Sequence, residues 1–218
     1  MKKFTKTQLA WRLLIYIAGM IILAAGITLN TKTGLGVSPI ISIPFTISSI
    51  WGLDFAAMTF ASYAAFVVIE IIIKGKQRTW TDLLQIPFSF VFSLLLNLFT
   101  ELFAFSFDKL WMNLLVLLTA ILATAVGAAM MVNMKLIANP ADALAHAVGM
   151  ATKKGMGFGK NVIDCSSVVV SCLLGLIFAG RITAIGVGTV VAMLGIGRTI
   201  AVFNRLFKRR MLKATGLQ

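Results

Sequence analysis

Charge is scarce in this chain, and negative charge is scarcer still. Of 218 residues only 12% are charged, with 20 Lys and Arg against 7 Asp and Glu. A soluble domain carries about 25% charged residues, so an ordinary water-soluble domain is excluded. Cysteine is nearly absent as well. Cys165 and Cys172 share one apolar run, two helical turns apart and so about 10 Å along the axis, too far to bond to each other. They read as small packing residues. One histidine, His146, and no Cys/His cluster leave no zinc signature. No nucleophile–base set and no phosphate-binding Walker loop is present. The chain is therefore not expected to be an enzyme, and no cofactor or metal is called for.

What fills the sequence instead is apolar: 59% hydrophobic residues and a mean hydropathy of +0.96. A helix needs roughly 20 apolar residues to cross the hydrocarbon core, and six runs qualify. They cover residues 13–29, 55–73, 83–105, 111–134, 161–179 and 183–203. The basic start followed by an apolar run resembles a signal peptide. Its length and the lack of a small-residue cleavage site make it a retained first span. Two stretches, 31–54 and 135–160, are too long for tight turns and too apolar for ordinary loops.

The net charge of +13 is not a nucleic-acid footprint, because the basic residues sit in short clusters between apolar runs. Lys2, Lys3, Lys6 and Arg12 precede the first run, and Lys74, Lys76 and Arg78 follow the second. Lys135, Lys153, Lys154 and Lys160 follow the fourth, and Arg205, Lys208, Arg209, Arg210 and Lys213 close the chain. The other side receives Lys32, Lys109 and Arg181, while Arg198 falls inside the sixth run. By the positive-inside rule both termini are cytoplasmic.

The two halves align. Each has a span, a proline motif, a short helical stretch, a second span, a link and a third span. In the first half the motif is Val37-Ser38-Pro39, followed by IISIPFTISSI; in the second it is Ala138-Asn139-Pro140, followed by ADALAHAVGM. The stretches end on similar entries, WGLDF (51–55) and KGMGF (154–158). With three spans per half the second must lie upside down, the layout of many secondary transporters. Non-helical backbone inside a membrane is tolerated only where protein buries it or water reaches it. Two such segments predict a cavity or pathway between the halves.

The series GLGVSP (34–39), NPADAL (139–144), GFGK (157–160) and GVGTVVAMLGIGRTI (186–200) resembles the YczE/YitT-type (YyaS-like) bacterial integral membrane proteins over roughly residues 10–207. The resemblance implies a multi-pass protein of the bacterial inner membrane and fixes no substrate. Members carry Pro-x-Asp-Ala-Leu in both halves. Here Asp142 fits in the second half and Ile41 stands in the first, against a symmetric two-acid mechanism.

Asn139, Pro140 and Asp142 make a good helix start: an N-cap, a proline at the first position and an acid in the first turn. The plain reading is a capped short helix. The functional one is a helix start facing a cavity, offering free amides and partial positive charge. Ser38 and Pro39 are the counterpart, with Ser38 able to cap in the same way and Pro44 placed to kink or end the helix. Glu70 lies one turn before Lys74, where the two would pair and reach the interface. Asp164 and Arg198 lie inside spans, where charge is costly. They are expected to pair, either as a salt bridge locking spans five and six or as part of a site. An unpaired Arg198 would be the best anion contact in the chain. His146 shares a helix face with Asp142 and is most simply solvated. The glycines of span six, Gly188 and Gly195 among them, suit close helix packing.

The expectation is thus an all-α membrane protein with six transmembrane helices as two inverted three-helix repeats, 1–108 and 109–218. Each repeat carries a short re-entrant or interfacial helix, 39–50 and 140–150. The function expected is passage of a small solute, anionic in one version, by a transporter or permease. The candidate cavity residues are Ser38, Pro39, Asn139, Pro140, Asp142, Asp164 and Arg198. The alternative is a non-transporting regulatory or substrate-capture subunit. Expected partners are the lipid bilayer and a small solute, not nucleic acid; a homo-oligomer or a membrane partner protein is compatible.

Overall fold

In the computed structural model, which describes residues 4–217, every regular element is helical. The long ones are α1 (Lys6–Thr31), α3 (Phe55–Lys74), α5 (Gln85–Leu102), α6 (Leu110–Met134), α8 (Gly155–Ala179) and α9 (Val187–Phe203). Two helices are of half length, α2 (Pro39–Trp51) and α7 (Pro140–Ala151). A single turn, α4 (Trp80–Leu83), leads into α5, and a π-helical stretch (Asn204–Lys208) carries α9 into α10 (Arg209–Ala214). Six helical segments are long and apolar enough to cross a membrane.

Helix ends differ from the apolar runs for local reasons. The first helix begins well before residue 13 because Thr5 accepts a bond from Gln8 N and the Gln8 side chain answers Thr5 N, a reciprocal cap. The fifth span, α8, begins at Gly155 rather than 161, because the α7–α8 turn closes tightly through Lys153 (φ 57°) and Gly155 (φ 81°).

At the centre, α1 and α6 cross backbone to backbone. A Cβ on Gly127 would stand 2.5 Å from Leu23 N, and one on Gly26 would stand 2.5 Å from Thr124 N. Small residues permit this approach, and dispersion between the closely placed backbones holds it. Arg12, near the start of α1, donates to the carbonyls of Met134 and Lys135 at 2.7 Å each. A guanidinium there satisfies the free carbonyls ending α6 and complements its dipole.

Around this pair, α5 packs on α1 and α3, α9 packs on α6, and both α2 and α7 are held between α3 and α8. An aromatic stack, Tyr63 with Phe92 and Phe92 with Phe88, fills the space between α3 and α5.

The register of the half-length helices follows from side-chain contacts along α8. Ser42 Oγ donates to Ser167 O at 3.2 Å, Thr46 meets Ser171 at 2.6 Å, and Trp51 rests on Phe178. So α2 runs parallel to the second half of α8. By contrast, Gly149 packs on Gly155 and Gly159 packs on Ala145, so α7 runs antiparallel to the first half. Both half-helices start beside the middle of α8 and end at opposite ends of it. Each is about 20 Å long at 1.5 Å per residue and lies along one half of a span-length helix. Pro44 lies inside α2 and does not end it.

Candidate functional site: a cavity where the two half-helices start

The starts of α2 and α7 open onto one cavity of about 460 Å³. Ser38 and Pro39 line it from α2, Asn139 and Asp142 from α7, and Lys160, Asn161 and Asp164 from α8. Tyr63 of α3, Ile196, Ile200 and Asn204 at the far end of α9, and residues of α1 and α6 also line it. A second cavity of about 290 Å³ shares Leu23, Ala128, Val132, Asn139, Asp142 and Met156 with it and continues past Glu70, Lys74, Asp82, Gln85 and His146. The second cavity thus adjoins the first and extends to Lys74 and Lys135.

Each helix start is held differently. Asn139 caps α7, its side chain accepting from Ala141 N at 3.0 Å, while its amide lies 3.5 Å from the Tyr63 hydroxyl. Ser38 was expected to cap likewise, yet its side chain makes no cap bond. Its N–H donates instead to Asn30 Oδ1 at 2.7 Å. The segment before it pairs with the link before α9: Val37 N donates to Ala184 O at 2.8 Å and Gly188 N to Leu35 O at 2.7 Å. Irregular backbone inside the protein is thereby satisfied. Gly36, at φ 98°, lies in van der Waals contact with Thr189 and Gly186, where a side chain has neither the conformation nor the room.

The charged residues fall into two groups. Lys160 Nζ lies 3.6 Å from Asp142 Oδ1 and 3.7 Å from Asp164 Oδ1. In the second cavity, Lys74 pairs with Glu70 and, at 2.9 Å, with Asp82. Gln85 donates to Glu70 at 2.7 Å.

Among the seven residues singled out in the sequence, Ser38, Pro39, Asn139, Asp142 and Asp164 line the larger cavity. Pro140 is buried beside it. Arg198 is not part of it. It lies exposed on α9 and forms no ion pair among the described residues. The expected Asp164–Arg198 pair is therefore replaced by Asp164–Lys160, one turn apart on the same helix. The reason is rotational: α9 turns Ala192, Ile196 and Ile200 inward, which points Arg198 away. Glu70 also departs from expectation. It pairs with Lys74 but is fully buried, 0% exposed, and lines the smaller cavity instead of reaching the interface.

Lys160, Tyr63 and the Glu70–Gln85 pair were not identified from sequence. One usable signal was there, since Asn30-x-Lys32 and Asn133-x-Lys135 recur at the ends of α1 and α6. Asn30 supports Ser38. Asn133 donates to Asn204 Oδ1 at 2.6 Å, where the π-helical stretch begins; such stretches recur at functional sites.

The sequence profile of a family described as a family of unknown function (DUF6198) matches residues 10–205. The chain belongs to this DUF6198 family. No curated protein and no solved structure matches it. DUF6198 membership thus adds no activity, and the function of this member rests on the cavity.

Proposed function

We propose that this DUF6198 protein passes a small solute across the bacterial inner membrane, as a transporter or permease without catalytic activity. The observation that carries the proposal is that two half-length helices start beside the middle of α8 on one cavity holding Asp142, Lys160 and Asp164. Ionisable groups at that depth are costly and mark solute or ion pathways. Half-helix starts at mid-membrane are a recurrent way of building such sites.

The packing supports two inverted repeats, 1–108 and 109–218. Exchanging α1 with α6, α2 with α7, α3 with α8 and α5 with α9 turns most contacts into one another. The α2–α8 contact becomes α7–α3, and α1–α5 becomes α6–α9. One contact breaks the rule. In the first half α3 packs on α5, whereas α9 leans on α6 and stands off α8. The larger cavity lies in that gap. The clustering of basic residues on one face, and the resemblance to YczE/YitT-type proteins, support cytoplasmic termini.

The test is flux. Purified protein in vesicles is expected to release small organic ions faster than protein-free vesicles do, and Asp164→Asn is expected to slow that release at least tenfold. Equal release with and without protein for both organic cations and organic anions would sink the transport reading. Stable co-purification with a membrane partner, without flux, would point to a non-transporting subunit.

A further inference from the structure

We infer that the solute is an organic cation with an apolar body, and that Lys160 is a tethered counter-cation which this solute displaces. The inference rests on the reading of the larger cavity as a solute site and names its chemistry.

Lys160 is shared between two carboxylates and bonded well to neither. Its separations of 3.6 and 3.7 Å exceed the roughly 2.8 Å of a charge-assisted hydrogen bond. Asp164 is only 6% exposed, and its Oδ1 is buried and accepts no hydrogen bond. A buried carboxylate oxygen is normally bonded, and the cation facing this one is the Lys160 ammonium, held off at 3.7 Å. Two carboxylates face one ammonium, and Arg198 on α9 is exposed and not part of this wall. The starts of α2 and α7 add partial positive charge. Asp142, in the first turn of α7, answers one of them; α2 has no acid of its own.

Most of the rest of the wall is apolar. Ile40, Met193, Leu194, Ile196 and Ile200 face a space of about 460 Å³, within the usual range for an organic ligand. A small hydrated metal ion would leave most of that wall unused. The gap between α8 and α9 gives the apolar body a side entrance. On entry the solute's cationic head takes the place between Asp142 and Asp164. The Lys160 side chain, about one third exposed, swings out. On release it returns and refills the site.

Benzyltrimethylammonium is a suitable probe, with benzoate as the charge-reversed control, in binding titrations on the detergent-purified full chain. Wild type is expected to bind the cation and not benzoate. Asp164→Asn is expected to weaken binding at least tenfold. Lys160→Met, with its competitor removed, is expected to strengthen it at least tenfold. Lys160→Gln provides the same test if the Met variant does not fold. If both Lys160 variants fold and bind the cation no more tightly than wild type, displacement is wrong, although the cavity remains a cation site. If benzoate binds and the cation does not, the charge assignment is wrong. If neither binds, the solute-site reading fails with it.

Discussion

Glu70 and Lys160 illustrate how this protein keeps charge inside an apolar bundle. Glu70 is completely buried, and its cost is met by Lys74, by Gln85 at 2.7 Å, and by Asp82 holding the other side of Lys74. Removing one partner of a buried pair leaves the other uncompensated, at about 3 kcal/mol. Lys74→Met is therefore expected to destabilise the protein by about that much in a denaturant titration, and Glu70→Gln added to it is expected to restore most of the loss. Additive losses in the double variant would show that the pair is not coupled. The Lys160 group is looser, which suits a cation that moves. Lys160 was hidden in the sequence as one more basic residue of a cluster between apolar runs. Nothing local indicates that a hairpin brings Asp142 beside it.

The half-length helices were legible as elements. Each is a proline-started stretch with few charges, too long for a turn and too short for a span. Their depth was not, because it is set by contacts with α8 that lie far away in sequence. Glycine decides those contacts. A Cβ on Gly159 would collide with Ala145 O, and that backbone atom cannot yield. Gly159→Ala is expected to push α7 from α8 at a cost of about 1–3 kcal/mol. Asp142 would move from Lys160, and cation binding would weaken. Gly157→Ala, where the added methyl meets nothing within 4 Å, is expected to leave the thermal midpoint unchanged. Equal midpoints for the two variants would contradict the packing. Arg198 shows the opposite limit. Its span was plain in the sequence, but the face it occupies depends on the rotation of α9, and repeated small residues leave that rotation unmarked.

At the scale of the molecule, the α1–α6 crossing joins the two halves. Arg12 fastens it at one end and Gly26 and Gly127 let the helices meet. Arg12→Met removes two charge-assisted bonds, worth about 1.5–3 kcal/mol each, and is expected to lower the thermal midpoint more than Arg198→Met does. The reverse ranking would place the structural charge on α9. If the proposed function holds, both half-helix starts share one solute cavity at mid-membrane. The most direct test replaces Cys165 and Cys172 with serine and introduces one cysteine at a time, at Ser38 or at Asn139. A small water-soluble thiol reagent is then applied with and without benzyltrimethylammonium. Both cysteines are expected to react, and the cation is expected to protect both. Reaction at only one of them, or reaction at both with no protection at either, would contradict a shared cavity.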